Sequence, residues 1–384
     1  MNIYDSLNRF IDKLITQSTP EAPIWNIEKL GGMIEISWNY IDGCMTSSLI
    51  SLYRETKETK YLDFLKMWTD HYVRADGTIR GYDPTHYSTD DLSQSRILFD
   101  MYEFTQDEKF LKALNHSYTQ IEGHPRTEEG NFWHKLIYPN QVWLDGLYMM
   151  QPFYVRYEGM FNDKKGYADT IDQFKNVRRL MFDEDKKLYY HCYDEARDLF
   201  WCDKETGLSP HFWLRAIGWY VASLADVAFY IDDEGHKAYL GGLLEEAVEG
   251  LLQYQDPETK MFHQIVDLIG KEQNYLETSG SLLIAYAILR GANTGLIDKE
   301  KYQPIGLEIF ENVCKNRLTE VDGDLNLEGI CLVAGLGPAD NTRRDGTYEY
   351  YMSEPIVKND AKGVGPLIMA YTEAIIAKNK TAAG

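Results

Sequence analysis

The segments LYRETKETKYL at residues 52–62 and MYEFTQDEKFL at residues 101–111 are two versions of one pattern. In both, a run with helical spacing of apolar residues ends at a polar turn, and a second helix restarts on an aromatic residue. Tyr, Thr, Lys, an aromatic residue and Leu all return after 49 residues, and weaker echoes lie at 157–167 and 290–302. Repeats of this kind are typical of stacked helical hairpins.

Helical spacing of apolar residues recurs along the whole chain, whereas alternating strand patterns are scarce. It predicts helices at residues 3–17, 43–56, 60–74, 92–105, 107–121, 142–160, 164–181, 211–231, 237–254, 278–291, 298–317 and 363–378. Pro152 predicts a kink or an early break in the sixth of these helices. The aromatic stretch Leu188–Asp194 predicts a small strand hairpin. Six hairpins of roughly 60 residues would use the whole chain, either as an open solenoid or closed into a ring.

The charge balance excludes several classes of partner. The net charge is −21, with 60 acidic and 39 basic residues, so we expect neither nucleic-acid binding nor adhesion to an anionic membrane. No apolar run approaches the roughly 20 residues needed to span a bilayer. The first residues lack a basic segment followed by an apolar core, so no secretory signal is predicted.

The five cysteines are scattered and odd in number. We interpret them as reduced thiols, and no Cys/His spacing indicates zinc. The expectation is a soluble cytoplasmic protein without a metal or a cofactor.

Asp145 is the most informative acid in the stretch His124–Phe153, which begins as turns and continues as a helix. Its neighbours include Trp143 and Leu147, so we expect partial desolvation. Desolvation would raise the pKa of Asp145 and let it hold a proton near neutrality. Equally, Asp145 could cap a helix that begins near Gly146, because Asp is a favoured capping residue.

Two earlier loops carry residues with two interpretations each. Trp38 and Tyr40 lie two apart before a helix, where they could line a sugar site or pack as a staple. Asp90 and Asp91 precede another helix, where the default role is capping.

Later segments add histidine, arginine and tryptophan. His191 alone is more typical of a structural histidine, and Arg215 shares a helix face with His211 and Trp219. Arg215 could stack between tryptophans or clamp a carboxylate with its planar fork. Within so acidic a chain, His134, Lys135, His191, His211 and Arg215 would form a positive patch if their loops meet. Scattered surface charges are the alternative.

The run Phe132–Lys135, then Tyr138–Pro139 and Trp143–Met149, resembles the signature of the unsaturated rhamnogalacturonyl hydrolases. These enzymes form glycoside hydrolase family 105 and are relatives of the unsaturated glucuronyl hydrolases. Asp90–Ser93 and Trp213–Trp219 resemble further blocks of the family. The resemblance implies an all-α fold, an (α/α)6 barrel of six helical hairpins, as one domain over residues 1–384.

The resemblance also implies the reaction and its residues. The substrate would be a small oligosaccharide with a terminal 4,5-unsaturated uronic acid, expected to be an unsaturated rhamnogalacturonan disaccharide. Asp145 would act as general acid and base in hydrating the C4=C5 vinyl ether. The substrate-binding residues implied by the resemblance are Tyr40, Asp90, His134, Lys135, Trp143, His191, Trp213, Arg215 and Trp219.

Three alternatives stay open on the sequence. One is an unsaturated glucuronyl hydrolase acting on other uronide fragments. Another is a sugar epimerase on the same barrel. The third, from a different class, is a non-catalytic helical-repeat binding scaffold, which would have no need to cluster Trp, His, Lys and Asp at its turns.

Overall fold

The computed structural model describes residues 3–34 and 37–382, and the parts of the predictions that fall on residues 1–2, 35–36 and 383–384 lie outside it. The α-helices of the described residues are α1 Ile3–Thr16, α2 Ile27–Leu30, α3 Tyr40–Thr56, α4 Thr59–Tyr72, α5 Thr89–Gln94, α6 Ile97–Thr105, α7 Glu108–Gly123, α8 Leu144–Phe161, α9 Tyr167–Met181, α10 Leu214–Tyr230, α11 Glu234–Leu252, α12 Thr278–Thr294, α13 Lys299–Arg317, α14 Tyr348–Ser353 and α15 Ala361–Ala382. A 3-10 turn lies at Pro84–His86.

Short strands pair in twos at the helix ends. They are β1 Gln141–Trp143, β2 Phe182–Asp183, β3 Leu188–Tyr189, β4 Cys192–Asp194, β5 Phe262–His263, β6 Leu276–Glu277, β7 Leu318–Val321, β8 Asp324–Leu327, β9 Ile330–Cys331 and β10 Ile356–Val357. The antiparallel pairs are β1 with β4, β2 with β3, β5 with β6, β7 with β8, and β9 with β10.

Six helical positions form a closed inner ring. In order around it lie α3, α5 continued by α6, α8, α10, α12 and α15, and α15 packs back against α3. Each of α4, α7, α9, α11 and α13 follows an inner helix and packs against it from outside. The fold is therefore an (α/α)6 barrel, and the open solenoid is wrong because the ring closes.

The sixth hairpin joins the two ends of the chain. Tyr4 of α1 lies against Tyr371 of α15 with ring centroids 5.4 Å apart, and the Tyr371 hydroxyl hydrogen-bonds Asn8 Oδ1 at 2.9 Å. Here α1 serves as the outer helix and α15 as the inner one.

The sequence repeat has the same contacts in both copies. Lys60 Nζ lies 2.7 Å from Asp12 of α1, and Lys109 Nζ lies 2.7 Å from Asp70 of α4. In each copy the lysine at the start of an outer helix thus reaches back to the preceding outer helix. Repeated residues make repeated contacts, which is why the repeat predicts the architecture.

Some element boundaries differ from those predicted. The helix predicted at 92–105 is two helices that separate at Ser95 and Arg96, where the Ser95 hydroxyl accepts a hydrogen bond from the Trp38 indole at 3.0 Å. Of the kink or early break predicted at Pro152, the break is wrong, because α8 continues to Phe161, and the kink stays a prediction. The short helices α2 and α14 were not predicted. The stretch Leu188–Asp194 holds β3 and β4, which pair with different strands rather than with each other.

Inner helices approach closely where glycine allows it. A Cβ atom at Gly280 of α12 would lie 2.5 Å from Leu214 Cγ of α10. Real side chains do not tolerate that distance, so glycine sets the spacing of these two helices. Among the described residues, no helix combines the length and the apolar character needed to cross a membrane.

Candidate active site

The inner helices run in one direction, so their N-terminal ends gather at one mouth of the barrel. A cavity of about 290 Å³ lies there, between the first turns of α3, α5, α8 and α10. Helix N-termini carry partial positive charge and unpaired N–H groups, which favour an anionic ligand. The lining residues are Glu28, Ile34, Ser37, Asn39, Tyr40, Ile41, Asp90, Asp91, His134, Lys135, Tyr138, Trp143, Asp145, Met149, Trp213, Arg215, Trp219, Val333, Ala334 and Arg344.

Nine of the ten predicted site residues line this cavity, and His191 is the exception. His191 is fully buried and lies behind Asp145. His211 of the predicted positive patch is also absent from the lining, and its ring lies 6.3 Å from that of Tyr351.

Strand pairing brings His191 to Asp145 across 46 residues of sequence. Asp145 is the second residue of α8, directly after β1, and His191 directly precedes β4, the partner of β1. The Leu144 amide also donates to the His191 carbonyl at 3.2 Å. As a result His191 Nε2 faces Asp145 Oδ2 at 3.3 Å. Neither atom has a well-aligned hydrogen-bond partner among the described residues.

The pKa predicted for Asp145 is wrong in direction. Burial does raise the pKa of this carboxyl, as expected. However, the adjacent His191 imidazole stabilises the charged form and outweighs burial, so the pKa of Asp145 lies below its ordinary value. In the free protein Asp145 is therefore a carboxylate at neutral pH.

A stack of rings forms one wall of the cavity. The His134 imidazole lies over the Trp143 indole with centroids 4.4 Å apart, and Tyr138 lies 4.9 Å from the same indole. A Cβ atom at position 146 would lie 3.1 Å from His134 Nδ1, so Gly146 lets the imidazole approach α8. Burial lowers the pKa of His134 to about 4, so this ring is neutral at pH 7.

Two adjacent acids of α5 differ in their environment. Asp90 pairs with Lys135 Nζ at 2.5 Å and lies 3.6 Å from His134 Nε2. Asp91 also lines the cavity, and burial raises its pKa to about 6 although Lys135 opposes the shift. The raised pKa expected of Asp145 therefore belongs to Asp91.

The two arginines of the cavity lining differ in whether their guanidinium groups already have hydrogen-bond partners. The Arg215 guanidinium donates to the Cys331 carbonyl, to the Leu332 carbonyl at 3.3 Å and to the Ser279 hydroxyl at 3.2 Å. The Arg344 side chain has neither a hydrogen-bond nor an ion-pair partner within the described ranges. The carboxylate clamp predicted for Arg215 stays a prediction, and Arg344 is the cation with free donors.

The positive patch expected from the sequence is not a net positive cavity. Lys135, Arg215 and Arg344 contribute three cations to its lining, and Glu28, Asp90, Asp91 and Asp145 contribute four carboxyl groups. An anionic ligand would be attracted by local donors rather than by overall charge.

The positions of Trp38 and Tyr40 decide between the packing role and the cavity-lining role that the sequence left open for them. Trp38 is fully buried and packs against Tyr72 at 5.5 Å, whereas Tyr40 lines the cavity. Trp213 also lines the cavity, and its indole N–H has no partner in the described part of the chain. Trp219 stacks on Tyr148 at 4.6 Å at the cavity floor.

Several lining residues were missed on the sequence. Tyr138 stood within the motif Tyr138–Pro139 but received no role, and Arg344 received none either. Nothing in the sequence indicated a role for Glu28, because its place in the cavity depends on the distant Lys362. The fully buried Lys362 binds Glu28 Oε1 at 2.6 Å and Asp360 Oδ1 at 3.1 Å, which fixes α2 against the start of α15.

The residues that the structure describes include no cluster of three His, Cys, Asp or Glu side chains arranged as metal ligands.

A larger cavity of about 460 Å³ lies at the opposite mouth, between the C-terminal halves of the inner helices. Its charged groups neutralise one another. Asp226 pairs with Arg96 Nη2 at 2.5 Å and with Arg290 Nε at 3.0 Å, and Arg290 also pairs with Glu373 at 2.9 Å. None of the predicted site residues lies there.

Known proteins resemble this chain along most of its length. Residues 16–378 match Glycosyl Hydrolase Family 88. The solved structure of a glycoside hydrolase from family 105 of C. acetobutylicum is 38% identical with a TM-score of 0.88, covering 97% of this chain and 99% of that one. Protein Atu3128 of Agrobacterium fabrum is 37% identical over 230 residues, which are 59% of this chain and 97% of that protein. Unsaturated rhamnogalacturonyl hydrolase YesR of Bacillus subtilis is 25% identical over 264 residues, 67% of this chain and 71% of that protein.

Proposed function

This chain belongs to the glycoside hydrolase families 88 and 105, and we propose that it removes the terminal 4,5-unsaturated uronic acid from lyase-generated oligosaccharides. One observation carries the proposal: the Asp145 carboxylate lies in a cavity walled by aromatic rings, cations and helix N-termini. The small volume of about 290 Å³ suits a terminal sugar and leaves the rest of the chain outside.

Asp145 serves as acid and then as base in the proposed mechanism. Its protonated form gives the proton to C4 of the vinyl ether, and positive charge develops at C5 beside the ring oxygen. Water adds to C5, and the Asp145 carboxylate accepts the proton that the water loses. Each turnover therefore restores the acid, and the contribution of such a group is typically about 10²–10⁴-fold in rate.

The product of hydration then breaks down without further catalysis. The hemiketal at C5 opens by cleavage of the bond between C5 and the ring oxygen, which leaves a ketone at C5 and a hydroxyl at C1. The resulting hemiacetal at C1 expels the remaining saccharide. The proposed route differs from that of a retaining or inverting pair of carboxylates, which acts at C1.

The other lining residues hold the sugar. Asp90, oriented by Lys135, accepts hydrogen bonds from hydroxyl groups, and Trp143 offers an indole to the ring. The uronate carboxylate is placed near Arg344, whose fork has free donors, with the indole N–H of Trp213 as a further donor. Tyr40, His134, Arg215 and Trp219 complete the walls.

The proposed substrate is an unsaturated rhamnogalacturonan disaccharide. The similarity to YesR supports this choice over a glycosaminoglycan fragment. A panel of unsaturated disaccharides separates the two, because a rhamnogalacturonyl hydrolase turns over the rhamnose conjugate fastest. Preference for a hexosamine conjugate would instead identify an unsaturated glucuronyl hydrolase.

The test of the proposed acid uses Asp145→Asn. Addition of the wild-type protein to lyase-treated rhamnogalacturonan should remove the ultraviolet absorbance of the unsaturated uronide. Asp145→Asn should lower kcat by at least about 10²-fold, because the amide cannot give or accept the proton. Helical circular dichroism checks the fold of the variant, and Asp172→Asn, at an exposed position, is the matched control. Normal turnover by Asp145→Asn would refute the assignment.

The domain organisation and the cellular location also stay proposals. We place all of residues 1–384 in one barrel domain, supported by the pairing of α1 with α15. We place the protein in the cytoplasm, where cysteines stay reduced, and the five buried, unpaired cysteines support this location.

A further inference from the structure

Tyr351 and His191 form a chain of contacts that ends at Asp145. The Tyr351 hydroxyl lies 2.8 Å from His191 Nδ1, and His191 Nε2 lies 3.3 Å from Asp145 Oδ2. Both Tyr351 and His191 are fully buried, and neither lines the cavity. They can therefore affect the reaction only indirectly, and Asp145 is the reacting group that His191 faces.

The His191 ring packs against two indole rings and has few polar neighbours. Its centroid lies 5.3 Å from that of Trp143 and 4.7 Å from that of Trp213. Within the described residues, its nitrogens face only the Tyr351 hydroxyl and the Asp145 carboxyl. The position of its proton is thus decided by these two groups.

Among the residues that the structure describes, the Tyr351 hydroxyl has one hydrogen-bond partner, His191 Nδ1. Burial raises the pKa of Tyr351 well above its ordinary value, so the phenol keeps its proton. His191 Nδ1 is its hydrogen-bond partner, and a buried O–H without an acceptor would be costly. The phenol therefore donates to Nδ1, which must carry a lone pair, so the imidazole proton lies on Nε2.

We propose that Tyr351 is a positioning residue for the reaction, because its hydroxyl holds His191 in the tautomer that points an Nε2 proton at Asp145. That proton stabilises the Asp145 carboxylate, which is the form that accepts a proton from water. In the opposite tautomer an Nε2 lone pair would face the carboxylate and repel it. The inference rests on the proposed role of Asp145 as acid and base.

The kinetic test compares two adjacent tyrosines of α14. Tyr351→Phe should lower kcat roughly tenfold to a hundredfold with little change in KM, as for other groups that orient a reacting side chain. Tyr350→Phe removes an equally buried hydroxyl that accepts from the Gly335 amide at 2.9 Å and should leave kcat nearly unchanged. Equal losses in both variants, or a loss confined to KM, would overturn the proposal.

A double-mutant cycle separates positioning from a structural effect. In a His191→Ala background the Tyr351 hydroxyl has no imidazole to orient, so Tyr351→Phe should then change kcat less than about twofold. A full additive loss in that background would show that Tyr351 acts by another route.

The tautomer itself can be measured without turnover. Nitrogen-15 spectra of histidine-labelled wild-type protein should show His191 protonated at Nε2, with its signals identified by their loss in His191→Gln. In Tyr351→Phe part of the population should move its proton to Nδ1, because only the Asp145 carboxylate then favours the Nε2 form. Protonation of Nδ1 in the wild type would overturn the proposal even if Asp145 is the acid. An intact tautomer with an active Asp145→Asn variant would instead refute the proposed function alone.

Discussion

Asp91 and Asp145 are carboxyl groups of one cavity whose pKa values shift in opposite directions. Burial dominates at Asp91 and raises its pKa to about 6. At Asp145 burial is outweighed by His191, and the pKa lies below its ordinary value. The pH dependence of the reaction can therefore tell which of the two carboxyl groups gives the proton.

The decline of the reaction rate with rising pH should follow the deprotonation of Asp145. The protonated fraction of a carboxyl falls tenfold per pH unit above its pKa, so this limb of the kcat/KM profile should lie below the pKa of about 6 of Asp91. A bound uronate brings negative charge beside Asp145 and raises the pKa of this carboxyl, so the same limb should appear at higher pH in kcat. Both parameters are measured by absorbance loss across the pH range in which circular dichroism shows the fold intact.

Asp91→Asn serves as the control for that profile. It removes the carboxyl with a pKa of about 6 and should leave the position of the kcat/KM limb unchanged. If the wild-type limb lies near pH 6 and disappears in Asp91→Asn, then Asp91 is the proton donor and our assignment of Asp145 fails.

At the scale of elements, the contact between α10 and α12 depends on one glycine. Gly280→Ala would place a Cβ atom 2.5 Å from Leu214 Cγ, so the start of α10 must move. We expect the free energy of unfolding to fall by about 1–3 kcal/mol, as for other overpacked sites. We also expect KM to rise, because Trp213 and Arg215 flank Leu214. Denaturant titration and steady-state kinetics provide the two measurements.

A glycine-to-alanine substitution at an uncrowded helix position should instead raise the free energy of unfolding. Gly242 of α11 is exposed, and a Cβ atom there would meet nothing within 4 Å. Gly242→Ala should stabilise the protein by up to about 1 kcal/mol, since alanine favours helix more than glycine does. A loss of stability in Gly242→Ala as large as in Gly280→Ala would argue against crowding as the cause.

The inner and outer helices could be predicted because their signal is local. The repeat ending at Thr56 and Thr105 recurs with its contacts, so periodicity alone indicates hairpins. The division between α5 and α6 could not be predicted, because it lies where Ser95 meets the distant Trp38. Tertiary contacts overrode a helical pattern that was locally continuous.

The candidate site was predictable in its members and not in its electrostatics. Asp145 and most of its neighbours stand in recognisable runs of residues. The pKa of Asp145 depends on His191, which reaches it only through the pairing of β1 with β4. Short strands of two or three residues carry too little periodicity to reveal such a pairing. Arg344 was missed because its loop comes to the cavity only when the ring of helices has formed.

For the whole molecule, the mouth opposite the candidate site is lined by buried ion pairs. Asp226 is almost fully buried and pairs with both Arg96 and Arg290. Asp226→Asn leaves buried guanidinium charge without compensation, so the free energy of unfolding should fall by about 3–5 kcal/mol. Chemical denaturation followed by circular dichroism measures the loss.

An exposed ion pair between an aspartate and a lysine provides the control for this prediction. Asp232 pairs with Lys164 at 2.6 Å, and both side chains are at least half exposed. Asp232→Asn should leave the free energy of unfolding nearly unchanged, because solvent screens this pair. Similar small losses in both variants would show that the charges at the opposite mouth are well solvated.

The pairing of α1 with α15 sets a condition on how this protein is made. The hydrogen bond from Tyr371 to Asn8 joins residues 363 positions apart, and the first helix carries the buried apolar residues Leu7, Phe10, Ile11 and Leu14. Because α1 is synthesised well before α15, this apolar stripe cannot pack against its partner helix until α15 has left the ribosome. A nascent chain of this protein thus offers chaperones an apolar binding segment until α15 has been made and has docked.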